Sequence, residues 1–231
     1  MKPKRNHPTP VIDEYLRLLE PLHILDAGRK MQVFLSSADI ESGNRFWNQT
    51  RSLGKFPIVV LHPGSDLSPA RCWPNESFAE LSRRLVDEKK AHVIVVGSLN
   101  ELKNAREIVD RSERSSNVST LADAHSAVGL VKAIIARSHL VVSTDSSARH
   151  VAAALGVPVV TLFGPTKIER TETYYLDETR LQKSVPCGPC EQQVCPQEHH
   201  RCMRELSVDE VFQAVERQLG SRPRREYSRV A

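Results

Sequence analysis

The chain has 231 residues, is 40% hydrophobic and 26% charged, and carries 32 Lys and Arg against 28 Asp and Glu for a formal net charge of +4. That balance suits a soluble globular protein with enough apolar material for a real core. It gives no ground for a nucleic-acid partner, and no apolar run approaches the roughly 18 residues of a membrane span.

The N-terminus lacks the apolar region of a signal peptide, so the expected location is cytoplasmic. Arg222, Arg224, Arg225 and Arg229 make the end of the chain a basic tail (221–231), read as a solvated terminus. Weak peripheral contact with an anionic inner-membrane surface is the minority reading of that tail.

In chain order, Met1 to Pro10 is polar and proline-rich. The apolar positions Val11, Ile12, Tyr15, Leu16, Leu18, Leu19 and Leu22 recur at helical spacing and predict a helix over Val11–Leu22. A short strand is expected at Gln32–Leu35, then a polar helix over Ser36–Ser52. From Pro57 the pattern becomes a regular alternation. Apolar strands at Ile58–Leu61, His92–Val96, Val118–Leu121, Leu140–Ser143 and Val157–Phe163 flank helices near Ser77–Lys89, Asn100–Ser112, Ser126–Arg137 and Ala148–Leu155. Continuous apolar strands between helices mean a parallel sheet covered on both faces, a Rossmann-like doubly wound α/β domain. A last helix spans Ser207–Leu219, with Ser207 and Glu210 spaced as a capping box.

In such sheets ligands sit beyond the carboxyl ends of the strands. The loops His62–Trp73, Gly97–Glu101, Leu121–His125, Thr144–His150 and Phe163–Thr171 are therefore expected to converge on one site. The richest is the turn in VVSTDSSARHVAAAL, Val141 to Leu155. A buried strand ends at Thr144 and Asp145, two serines follow, and a helix opens whose first N–H groups lack internal partners. Ser146 and Ser147 with those N–H groups suit a phosphate or diphosphate. Asp145 either binds sugar hydroxyls or braces the turn, and His150 is either part of the site or packed on the sheet.

In the first loop, LHPGSDLSPARCWP, Ser65 and Ser68 add hydroxyls and Arg71 a cation whose planar fork fits phosphate oxygens. Trp73 anchors that loop, and Asn75 or Glu76 opens the next helix. In the second, Glu101 beside a Gly turn either accepts from ribose hydroxyls or answers the helix dipole. In the loop Phe163-Gly-Pro-Thr166, Thr166 is expected to face the same cleft.

The segments HPGS…RCWP, VVGSLNE and STDSSARHVAAALGVPVVTLFGPT, taken in order over Pro57 to Leu219, resemble glycosyltransferase family 9, the ADP-heptose:lipopolysaccharide heptosyltransferases. The resemblance implies the C-terminal, donor-binding domain of a GT-B glycosyltransferase that is inverting and needs no metal cofactor. An ADP-sugar would be the donor and the lipopolysaccharide inner core the acceptor. It places Ser65 and Arg71 on the diphosphate, Glu101 on the adenosine ribose, and Asp145, Ser146, Ser147 and His150 on the family's D-[ST]-G-x-x-H turn. Two positions depart from that pattern: Ser147 replaces the turn glycine, and Arg71 replaces a lysine. The resemblance also implies three segments. Residues 1–54 match the end of the acceptor domain and the interdomain link, 55–220 the nucleotide-sugar domain, and 221–231 the tail. The catalytic base would then lie in an N-terminal domain that this sequence does not contain, so the chain is expected to be inactive or barely active alone.

The five cysteines include a cluster, Cys187, Cys190, Cys195 and Cys202, with His199 and His200 between them. Its spacing leaves free or redox-active thiols, structural zinc and disulfides open, with thiols ahead and zinc a lesser alternative. Cys72 reads as a small packed residue. A subunit of a split glycosyltransferase and a non-catalytic zinc or thiol module are the competing readings of the whole.

Overall fold

The computed structural model describes residues 8–24, 27–49, 56–64, 68–98, 101–114, 116–121 and 128–220. Ser65, most of the Leu121–His125 loop, and the tail 221–231 lie outside these residues.

Six strands form one all-parallel sheet: β1 (Ile58–His62), β2 (His92–Val95), β3 (Val118–Thr120), β4 (Leu140–Thr144), β5 (Val159–Phe163) and β6 (Glu178–Gln182). Their spatial order is β3-β2-β1-β4-β5-β6. The chain therefore winds outward from β1 in one direction and from β4 in the other. A crevice opens at this reversal, and here it lies between the carboxyl ends of β1 and β4.

The helices are α1 (Val11–Arg17), α2 (Ser37–Gln49), α3 (Asn75–Lys89), α4 (Leu102–Ser112), α5 (Val128–Ala136), α6 (Ser147–Ala154), α7 (Arg201–Arg204) and α8 (Val208–Gly220). Alternate residues of each strand point to opposite faces, so each apolar strand feeds two cores. Val59, Leu61, Val93, Val95, Val142 and Leu162 pack on one face with Trp73, Phe78, Leu81, Ile108, Val211 and Phe212 from α3, α4, α8 and the first loop. Ile58, Val60, Ile94, Val141 and Val159 pack on the other with Trp47, Leu130, Ile134 and Ala152 from α2, α5 and α6. The doubly wound α/β class is thus the observed one.

α2 packs on α5 so closely that a Cβ on Gly43 would lie 2.8 Å from the Ala133 Cβ, and Trp47 is only 2% exposed. This helix, drawn from the segment 1–54, forms part of the sheet's own packing. The α8 capping box closes as expected. The Ser207 N–H donates to Glu210 Oε2 at 3.0 Å, and the Glu210 N–H donates to Ser207 Oγ at 3.3 Å. Lys183 and the Ser207 donors hold the Glu210 carboxyl down at about 2.

Three expectations change. The helix from Val11 stops at Arg17 and resumes only as a short 3-10 turn, Glu20–Leu22. Pro21 in that turn has no N–H to give an α-helix. Leu18 and Leu22 consequently stay exposed. Gln32–Leu35 forms no strand; no neighbouring strand is available to pair with it, and Phe34 is 80% exposed. The last strand of the sheet is β6, Glu178-Thr-Arg-Leu-Gln182, not β5. β6 is an edge strand whose residues are all half-buried, so it carries no apolar run.

Candidate functional site

A cleft of about 890 Å³ opens over the carboxyl ends of β1 and β4. One wall is apolar, made by Val128 and Val131 of α5 and by Ala148 and Val151 of α6. The other is polar: His62, Ser68, Arg71, Ser98, Glu101, Thr144, Asp145, Ser146 and Ser147. Three of the expected loops therefore converge. The β5 loop does not line the cleft, because β6 extends the sheet and draws that loop sideways. Gln182 Nε2 donates to the carbonyls of Gly164 (3.1 Å) and Thr166 (2.8 Å).

The first loop turns on Gly64, whose φ of +113° few side chains tolerate. A Cβ there would stand 3.0 Å from Thr144 Oγ1 and 3.1 Å from Cys72 Sγ, so the glycine lets the β1 loop close onto the β4 end. A short 3-10 turn, Pro69–Arg71, then sets Arg71 over the cleft. Its Nη1 lies 3.8 Å from Asp145 Oδ2. The Trp73 indole N–H donates to the Leu206 carbonyl at 2.9 Å and anchors the loop to the start of α8.

Ser146 is the N-cap of α6, yet its hydroxyl makes no capping bond. It lies 2.8 Å from Ser143 Oγ and 3.2 Å from His62 Nδ1. The first-turn N–H groups of α6 are thus left without a side-chain acceptor, and that turn carries no acidic residue. Ser147 opens the helix with ordinary helical backbone and is absent from the residues of positive φ. Its replacement of the family's glycine therefore introduces no left-handed strain.

Glu101 is buried, and its Oε2 accepts from the Ser98 N–H at 2.6 Å, bracing the Gly97 turn. The same oxygen lies 3.8 Å from His62 Nε2. Burial lowers the His62 pKa against the opposing pull of Glu101. Asp145 gives Oδ1 to Arg149 Nη1 at 3.0 Å, while its Oδ2 has no hydrogen-bond partner among the described residues. The same is true of Ser68 Oγ, Arg71 Nε and Thr144 Oγ1. Buried polar atoms left unpaired cost about 1–3 kcal/mol each, so such a concentration in one cleft is the mark of a site shaped for a polar ligand.

His150 does not line the cleft. Along α6 the residues Ser147, Ala148 and Val151 share the cleft face, and the helical period turns position 150 aside. His150 is half-buried, and desolvation followed by the neighbouring Arg149 lowers its pKa. Thr166 is buried outside the lining.

Sequence reasoning missed Lys132 and Gln193 in the lining. Lys132 bonds Asp39 Oδ2 at 2.7 Å and the Phe34 carbonyl at 3.1 Å. Gln193 enters because the cysteine segment straps across the first loop, its carbonyl accepting the Ala70 N–H at 3.0 Å. No strand-end rule points to a helix interior or to a remote loop.

All five cysteines are free thiols, so the disulfide option is overturned. The one close side-chain contact is Cys187 Sγ to His199 Nε2 at 3.7 Å. No three His, Cys, Asp or Glu side chains among the described residues are grouped to hold a metal ion. Burial and the other three cluster thiols raise the Cys202 pKa, whereas backbone N–H donors, His200 first, lower that of Cys195.

The family model for glycosyltransferase family 9 (heptosyltransferase) matches residues 2–201. The chain belongs to that family. It is 26% identical over 203 residues to lipooligosaccharide heptosyltransferase 2 of Campylobacter jejuni, a match spanning 87% of this chain but only 64% of that protein. The glycosyl transferase family 9 structure from Veillonella parvula covers 96% of the chain and 63% of its own length at a TM-score of 0.81, with 19% identity. The E. coli heptosyltransferase WaaC solved with ADP superimposes at a TM-score of 0.55 with 21% identity, over 76% of this chain and 48% of that one. At these identities the two structures speak for the fold. Among the described residues no helix is long and apolar enough to cross a membrane.

Proposed function

We propose that the cleft binds an ADP-sugar and that this chain supplies the donor half of a heptosyltransferase acting on the lipopolysaccharide inner core. The observation that supports this most directly is the set of unpaired polar atoms around the open N-terminus of α6, facing an apolar wall across the same cleft. An adenine fits against Val128, Val131 and Val151, and the ribose against Glu101. The diphosphate fits between Arg71 and the first N–H groups of α6.

In an inverting transfer an acceptor hydroxyl attacks the anomeric carbon as the bond to the diphosphate oxygen breaks. A base takes the hydroxyl proton, and ADP departs carrying the bonding electrons. Arg71 and the α6 dipole stabilise the charge that grows on the leaving phosphate, so no metal is required in this reading. Neither His62 nor Asp145 is offered as the base: His62 is bonded to Ser146 and Asp145 to Arg149. The base and the acceptor site belong, in this reading, to a separate acceptor domain.

Calorimetric titration with ADP and UDP tests the proposal. ADP is expected to bind in preference to UDP, and Arg71→Ala to weaken ADP about tenfold or more, the loss of one charge-assisted contact. A parent chain that binds neither nucleotide would refute it.

A further inference from the structure

Behind the cleft, α6 carries Arg149, a cation with no solvent exposure at all. Three side chains fix its guanidinium. Nε donates to Glu178 Oε1 at 2.5 Å, Nη2 to Glu178 Oε2 at 3.3 Å, and Nη1 to Asp145 Oδ1 at 3.0 Å; Cζ lies 4.8 Å from the Phe163 ring centre. Glu178, on the edge strand β6, is itself saturated. It accepts from Thr161 Oγ1 at 2.5 Å, Thr173 Oγ1 at 2.8 Å and Arg180 Nε at 3.2 Å. Arg180 in turn pairs with Glu172.

Well-packed apolar residues would stabilise such a place at least as well as this cage does, because desolvating ions is costly. What the cage adds is direction. With Oδ1 locked, the Asp145 carboxylate cannot swivel, and its remaining oxygen, Oδ2, has no hydrogen-bond partner. A carboxylate repels phosphate but accepts from a hydroxyl, so the partner it suits is a sugar rather than the diphosphate.

We propose that Arg149, held by Glu178, is a positioning residue that fixes Asp145 as the acceptor for a hydroxyl of the donor's sugar, setting affinity for the sugar apart from affinity for the nucleotide. The proposal rests on the donor-site reading above. A pre-oriented acceptor binds without losing rotamer freedom, and a charged acceptor makes the stronger kind of hydrogen bond.

The test compares ADP with ADP-heptose on the full chain by calorimetry, the ratio of the two dissociation constants giving the sugar's share. The parent is expected to bind ADP-heptose more tightly than ADP. Asp145→Asn and the double variant Arg149→Met/Glu178→Gln are expected to shrink that ratio about tenfold or more while leaving the ADP constant within about twofold. The double variant removes both buried charges together, so it strands neither. Arg149→Lys, which keeps the charge without the fork, is expected to recover part of the ratio.

A double variant that keeps the parent's ratio overturns the proposal. So does one that loses ADP and sugar alike with a lowered melting temperature, since the pair would then be only a strut. A parent that binds ADP and ADP-heptose equally also overturns it, because Asp145 then meets no sugar. A parent that binds neither refutes the donor site itself, and this proposal with it.

Discussion

The two sides of the cleft are built on different terms. On the β4 side, Asp145 is tied through buried Arg149 to Glu178, two strands away on β6, and Ser146 is tied to Ser143 and His62. On the β1 side, Ser68 Oγ and Arg71 Nε have no such partners among the described residues, and the Arg71 side chain is 36% exposed. One side is organised by the fold before a ligand arrives, and the other is completed by the ligand. Substitutions on the first should register as stability, and those on the second as affinity.

The largest effect should come from stranding a buried charge. Arg149→Ala leaves Glu178 unpaired by its main partner and is expected to cost about 3–5 kcal/mol in a urea melt. A loss below about 1 kcal/mol would erase the contrast between the two sides. Gly64→Ala stands where the sides meet. Its positive φ and the 3.0 Å approach of a Cβ to Thr144 Oγ1 should cost about 1–3 kcal/mol and show as a lower melting temperature.

The His62 contact across the cleft gives a pH signature. Its folded pKa is depressed below the ordinary 6.5, as burial does to an imidazole, so below pH 6.5 the unfolded chain binds the proton more readily than the folded one. Stability should therefore fall as pH drops from about 6.5 toward the folded pKa, and be fully restored above it. His92 and His150, lowered by the same cause, share the slope. Melts at successive pH values should show His62→Gln with a shallower decline than the parent; an identical slope would remove His62 from the account. The smallest effect on stability is expected for Arg71→Ala, within about 0.5 kcal/mol, with the change appearing in the ADP titration instead. A large loss of stability there would mean that the β1 side is also pre-built.

Much of this molecule was legible in its residues because parallel strands buried on both faces must be continuously apolar. Ile58–His62, Leu140–Thr144 and Val159–Phe163 could hardly be anything else, and helices between them force the doubly wound order. The turn Thr144–Ser147 was legible too, since a strand end followed by serines and a helix start is a local construction. So was the Ser207–Glu210 box.

What the residues did not disclose is what depends on distant partners. β6 is polar because it is an edge, Arg149 is buried only because Glu178 waits beneath it, and α2 joins the core only because Gly43 lets α5 approach. His150 and Thr166 carry the right chemistry but stand outside the cleft, because helix phase and the extra strand, not residue type, decide where a side chain points. Local sequence sets which groups can form a strand, a cap or a turn, since those bonds lie within a few residues. Which of those groups share a cleft is decided by packing across the sheet, between residues 29 to 84 positions apart in the cases of Arg149 with Glu178 and Ser146 with His62.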